Sequence, residues 1–179
     1  MIMNFTSIDF ETANPSHVSI CAAGMAVFED GELTESPYWL VRPPKVHGWF
    51  HDVFIECRGL THLDVQDAPE FPAIAPEFVK RLTCADIVIA HNAAFDISHL
   101  RQTLDHFGLP CPNFDYVCTC TLARRVWPDL HSVQSEYFVV KRNSFPCYDW
   151  NPPLNILRFL LSIIPYLVKS ASRRVQPAN

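Results

Sequence analysis

The feature that most restricts this chain is Phe5-Thr6-Ser7-Ile8-Asp9-Phe10-Glu11-Thr12, a largely apolar segment ending on two acids. Phe5 to Phe10 reads as a first strand. Side chains alternate along a strand, so Asp9 and Glu11 project from one face. Two adjacent carboxylates repel, and keeping both ionised costs free energy unless a cation neutralises them. Mg²⁺ or Mn²⁺ meets that need, because hard cations take oxygen ligands. An exposed strand end running into a turn has the same pattern, so the acid pair alone leaves both readings open.

A second segment favours the cation. Val88-Ile89-Ala90-His91-Asn92-Ala93-Ala94-Phe95-Asp96 reads as a buried strand, a polar elbow, then an acid in the first turn of a helix. Such an acid complements the helix macrodipole, and Asn92 suits a turn or a cap. Neither role explains the small pair Ala93-Ala94, which leaves room for a bulky ligand near the strand ends.

The intervening chain predicts an α/β fold. Ser19 to Phe28 and Tyr38 to Val41 read as strands joined across Glu29-Asp30-Gly31, where Asp30-Gly31 has hairpin chemistry. Residues 43–70 read as irregular, punctuated by Pro43-Pro44 and Gly48. Ile74, Phe78 and Leu82 recur at helical spacing, predicting a helix near 73–82. Ile87 to Ala90 has the continuous apolar character of a buried central strand. Ile97, Leu100, Leu104 and Phe107 mark a helix over 95–107, stopped by Gly108 and Pro110. Tyr116 to Thr121 reads as a last strand, with Cys118 and Cys120 on one face. Strands followed by alternating strands and helices indicate a mixed sheet covered by helices.

Together these segments resemble the DEDD exonucleases. Phe5 to Thr12 is similar to their first motif, and His91-Asn92-Ala93-Ala94-Phe95-Asp96 to their second. Arg58-Gly59-Leu60-Thr61, Asp67-Ala68-Pro69-Glu70-Phe71, Tyr116-Val117-Cys118-Thr119 and Leu122-Ala123-Arg124-Arg125 resemble the connecting text. The likeness spans residues 4–130 and is nearest the histidine branch, in the manner of the epsilon proofreading subunit of bacterial DNA polymerase III. It implies a ribonuclease H-like mixed sheet flanked by helices, and 3′→5′ hydrolysis of terminal phosphodiesters with two divalent ions. It further implies that Asp9 bridges both ions, Glu11 binds the nucleophile-side ion and Asp96 holds the second. Phe10 and Thr12 would line the terminal nucleotide's pocket, and Asn92 would support the elbow or touch substrate. The implied partners are single-stranded DNA 3′ ends, with RNA as an alternative, and a DNA polymerase subunit.

The family's third motif, His-x-Ala-x-x-Asp on a final helix, has no counterpart. His131 and Glu136 come too early and lack the alanine, and Asp149 sits among Tyr148, Trp150 and Pro152 rather than on a clear helix. The remaining histidines read as surface or packing residues. The mismatch coincides with a compositional seam. Residues 1–130 hold 17 acids and 8 bases, whereas residues 131–179 hold 2 acids and 6 bases and no glycine. Residues 1–130 therefore read as an incomplete exonuclease-like domain, and 131–179 as a frameshifted or replaced tail. Loss of the general base predicts an impaired enzyme, the alternative being a non-catalytic remnant that binds nucleic-acid ends or a polymerase.

Charge and cysteines bound the setting. A net charge of −5 argues against salt-driven coating of nucleic acid, but not against gripping one 3′ end through metal ions. Seven cysteines without a CxxC pair suggest reduced cytoplasmic thiols. Met1 to Phe5 lacks the basic region of a signal peptide. Leu154 to Val168 is shorter than the ~20 apolar residues of a membrane span, and reads as a core or interface helix, kinked or ended by Pro165, that could replace the missing one.

Overall fold

Nearly every residue of β1 (Phe5–Thr12) is buried, because this strand lies in the middle of the sheet. The computed structural model describes residues 3–126. The expectations for His131, Asp149 and Leu154–Val168 fall outside them. The other strands are β2 (Ile20–Glu29), β3 (Glu32–Glu35), β4 (Tyr38–Leu40), β5 (Ile87–Ala90) and β6 (Tyr116–Cys118), in the order β3-β2-β1-β5-β6, with β4 also paired to β2. β1 runs antiparallel to β2 and parallel to β5, which runs parallel to β6. The sheet is thus mixed, as the sequence predicts. No described helix is long and apolar enough to cross a membrane.

Turn chemistry sets the first hairpin. Asp30 and Gly31 both have positive φ, at 53° and 83°, the left-handed pair that tight hairpins need. The turn leads into β3, a strand that hydropathy does not reveal because all four of its residues are exposed.

Two helices cover one face of the sheet. α3 (Phe71–Cys84) buries Phe71, Ile74, Ala75, Phe78 and Leu82, and α4 (Ala93–His106) buries Ile97, Leu100 and Leu104. They meet Ile8 and Phe10 of β1 and Met25 of β2 in the main core. Pro72 sits in the first turn of α3, where its missing N–H costs nothing, whereas Pro76 forfeits one internal hydrogen bond. On the other face Phe5 stacks on Phe28, with centroids 4.4 Å apart, beside Ala26 and Ile89.

Two segments differ from the sequence reading. Residues 43–70 are not irregular: they hold a 3-10 turn (Lys45–His47), α1 (Asp52–Arg58) and α2 (His62–Val65). Local capping rather than hydrophobic periodicity makes them. The His51 side chain accepts from Val53 N–H, Gly59 closes α1 at φ 72°, and Thr61 and Asp64 form a capping box on α2. The last strand is also shorter than expected. It ends at Cys118, and α5 (Thr119–Val126) begins at once, so Cys118 and Cys120 do not share a strand face.

Candidate active site

The site forms where β1 and β5 end side by side. Parallel pairing of Phe5, Thr6 and Ser7 with Ile87, Val88 and Ile89 brings the exit of β5 beside Asp9. Asn92 then turns the chain in a left-handed conformation, φ 57° and ψ 50°, and α4 starts at Ala93. Asn92 occupies the N-cap position, but its side chain makes no capping bond; its backbone carbonyl accepts from Phe95 N–H at 2.8 Å. The reversal aims the first turn of α4 back at β1. Phe10 N–H, lying between the two acids of β1, donates to Asp96 Oδ1 at 3.1 Å.

Three carboxylates therefore converge. Asp96 is 1% exposed and Glu11 7%, while Asp9 retains some contact with solvent. Burial, then the charges of Asp96 and Glu11, push the Asp9 carboxyl well above its usual range, partly opposed by Arg58. Burial pushes Asp96 up to about 8 despite the hydrogen bond from Phe10, with Glu11 adding to the rise. Both shifts express the same surplus of negative charge in a poorly hydrated space.

Among the described residues, Arg58 meets that surplus. Arg58 Nε forms an ion pair with Glu11 Oε2, both side chains being largely buried. The Arg58 guanidinium also lies 4.5 Å from the Phe54 ring centroid, a cation–π contact within α1. Gly59, one residue on, ends the helix in the left-handed region and leaves Arg58 at its last turn. The sequence reading used Arg58 only as part of a likeness. A cation directly before a helix-ending glycine, in an acidic body, is the signal that marks it.

The remaining predicted residues divide between core and site. The Phe10 side chain lies in the core, its ring centroid 5.4 Å from that of Phe78 and 6.4 Å from that of Phe71, so Phe10 reaches the site through its backbone N–H. Thr12 is 1% exposed, and its hydroxyl, like that of Ser7 on the same strand, has no hydrogen-bond partner among the described residues. It follows the register shift at Glu11/Thr12, where β1 departs from regular pairing with β2. His91 bonds Thr119 Oγ1 at 2.9 Å and Cys120 Sγ at 3.1 Å, holding the start of α5 against the end of β5. His99 packs inside, its Nδ1 2.8 Å from Phe95 O, as a packing histidine should.

The sequence profile of the exonuclease family, RNase_T, matches residues 6–144. The chain belongs to this family. It is 27% identical over 134 residues to the PolC-type DNA polymerase III of Clostridium perfringens, covering 75% of this chain and 9% of that protein. It is 29% identical over 127 residues to the 3′-5′ exonuclease DinG of Bacillus subtilis, covering 69% of this chain and 13% of that protein. The chain thus spans about a tenth of the length of these relatives. The crystal structure of a full-length 3′-exonuclease superposes with a TM-score of 0.68 at 18% identity, covering 90% of this chain and 81% of that one. The ribonuclease H-like fold expected from the sequence is therefore the fold of this exonuclease-family domain.

Among the described residues no group of three His, Cys, Asp or Glu side chains is arranged to hold a metal ion. Asp9, Glu11 and Asp96 nevertheless lie near enough for Glu11 and Asp96 to raise the Asp9 carboxyl, and carboxylate oxygens are the donors that hard cations take.

Proposed function

We propose that this domain is a 3′→5′ exonuclease that hydrolyses terminal phosphodiesters of single-stranded DNA, in proofreading or repair, with RNA ends as the alternative substrate. The convergence of Asp9, Glu11 and Asp96 carries the reading. The polymerase III and 3′-5′ exonuclease relatives support its polarity and its DNA context, and a polymerase subunit is the partner they suggest.

Asp9, Glu11 and Asp96 would hold Mg²⁺ or Mn²⁺. Bound ions of this kind supply an activated water and stabilise charge on the leaving oxygen. This chain's own groups prepare the site. Phe10 N–H fixes the rotamer of Asp96, Arg58 pairs with Glu11 and holds it in place, and the Thr12 hydroxyl offers a hydrogen bond to the terminal nucleotide. Asn92, exposed at the elbow, touches substrate or supports the turn.

The third-motif histidine and acid have no counterpart in the sequence. Loss of a positioned general base lowers rates by ~10²–10⁴-fold, so weak activity is expected. A replaced C-terminus from about residue 131 is one account of the gap, against which stands the family match as far as residue 144; the coding sequence read in its other frames past codon 130 tests that origin. The test of function is a Mg²⁺ and Mn²⁺ titration with a 5′-labelled single-stranded oligonucleotide. Stepwise shortening from the 3′ end that disappears in Asp9→Ala supports the exonuclease. Binding without shortening at any metal concentration identifies a non-catalytic end-binding remnant instead.

A further inference from the structure

Residues 36–51 carry no acid, although residues 1–130 hold 17. The stretch includes Arg42, Lys45, His47, Trp49 and His51, with Lys45 and His51 exposed. Trp49 is 53% exposed, unusual for so large an apolar ring. Nothing in the activity described above uses these residues.

The segment is fastened to the end of β1. Asn14, fully buried, donates through Nδ2 to the carbonyls of His47 at 2.8 Å and Trp49 at 2.6 Å, and His51 N–H donates to Ala13 O at 3.0 Å. The exposed tryptophan therefore has a fixed position relative to Glu11, two residues before Ala13. A continuous series of contacts joins the two. Arg58 pairs with Glu11 and lies over Phe54 at 4.5 Å, Phe54 meets His51 at 5.8 Å between centroids, and His51 meets Trp49 at 6.0 Å. Trp49 and His51 are tilted by 52° and His51 meets Phe54 edge to face at 61°, while Arg58 covers one face of Phe54, so no two of these rings stack face to face. Phe54 and Arg58 are four residues apart on α1 and share its face, whereas Asp52 and Glu56, offset by two, lie away from it.

We infer that Trp49, His51, Phe54 and Arg58 form a stacking track for the single strand leading to its 3′ end. This rests on the exonuclease reading and adds to it the site that grips nucleotides upstream of the terminal one. Aromatic faces accept any base, so such a track binds without sequence preference, and cations along it meet the phosphates. The local basicity is needed because the acid cluster and the body as a whole repel a polyanion. The occupant is a single strand rather than a duplex, because a base inside a duplex has no free face to stack.

The test is fluorescence anisotropy with labelled oligo-dT and oligo-U of two and twelve nucleotides, in Ca²⁺ and in EDTA, using the full chain. Trp49→Ala is expected to raise Kd for the twelve-mer about tenfold, in line with base stacking on an aromatic side chain. The same variant should change the dinucleotide by less than twofold. Trp49→Phe restores twelve-mer binding, which a general folding defect would not allow. Lys45→Gln should flatten the slope of log K against log salt by about 0.7, one phosphate contact on a single strand. An unchanged twelve-mer Kd in Trp49→Ala overturns the track, as does an equal loss on both lengths. Wild-type protein that holds twelve nucleotides no tighter than two also overturns it. Failure of the exonuclease reading shows elsewhere, as absence of Asp9-dependent release in the shortening assay.

Discussion

The backbone N–H of Phe10 donates to the carboxylate of Asp96 across 86 residues of sequence, at 3.1 Å. One side chain from the start of α4 is thereby locked between two acids of β1. The bond stabilises the charged form of Asp96, while burial first, then Glu11 and Cys118, oppose it, and the opposition dominates.

Replacing Asp96 separates these effects. Asp96→Asn keeps an oxygen for Phe10 N–H and removes the charge, so the metal-free protein should melt at a higher temperature than wild type. It should also lose most of its stabilisation by Mn²⁺. Asp96→Ala leaves the buried N–H without an acceptor, at a cost of about 1–3 kcal/mol. Thermal melts with and without Mn²⁺ distinguish all three proteins. A metal response in Asp96→Asn equal to wild type removes Asp96 from the ligand set.

The raised carboxyls give a pH dependence with a definite sign. Unfolded aspartates titrate near ~4, whereas Asp96 titrates at about 8 and Asp9 is also well above its usual range. Between these values the folded state holds more protons than the unfolded one, so metal-free stability falls as pH rises from 4 towards 8. Divalent ions bind the deprotonated form, so their stabilising effect grows over the same window. Urea titrations at pH 5, 6.5 and 8 with EDTA or Mg²⁺ should therefore diverge with pH. Parallel curves contradict the clustered-acid description.

Among the described residues Arg58 is a countercharge to the acids in the metal-free protein. Arg58→Met removes its ion pair with Glu11 beside Asp9. Breaking a buried pair costs ~3–5 kcal/mol, and because the Arg58 side chain keeps 22% exposure we expect about 2–3 kcal/mol here. Saturating Mn²⁺ should recover part of that loss, since the ions supply positive charge at the same carboxylates. Isothermal titration of Mn²⁺ and melts in EDTA provide the comparison. A deficit that metal leaves untouched would mean that Arg58 acts only through packing on Phe54.

Gly59 sets where Arg58 stands. Its φ is 72°, and a β-carbon there would meet nothing within 4 Å, so Gly59→Ala introduces backbone strain without a steric clash. The left-handed region costs an L-residue roughly 1–2 kcal/mol. The unfolding free energy from urea titration should fall by that amount, through a lower midpoint at constant slope, which reports an unchanged surface exposed on unfolding. Gly59→Asn, tolerating the same conformation better, should lose less.

The two acid-bearing segments, the central strands and both core helices are legible because their hydrophobic patterns repeat within a few residues. Phe78 and Leu82 face the core as their spacing requires, and Asp30-Gly31 turns the chain as its composition requires. Residues 43–70 are less legible, since their short helices are held by caps and expose most of their side chains. The pocket role expected for Phe10 came from the family likeness. Strand alternation sends it to the core instead, and only its N–H remains.

Sequence alone determined the kind of chemistry: which side chains are acids, and that two of them share one face of a strand. Tertiary structure decided that Asp96 joins them, that Arg58 neutralises Glu11, and that an exposed tryptophan is fastened near the strand's end. The reason is range. Periodicity and turn chemistry act between near neighbours, whereas these contacts depend on the parallel register of β1 with β5 and on Asn14 reaching the 47–49 loop.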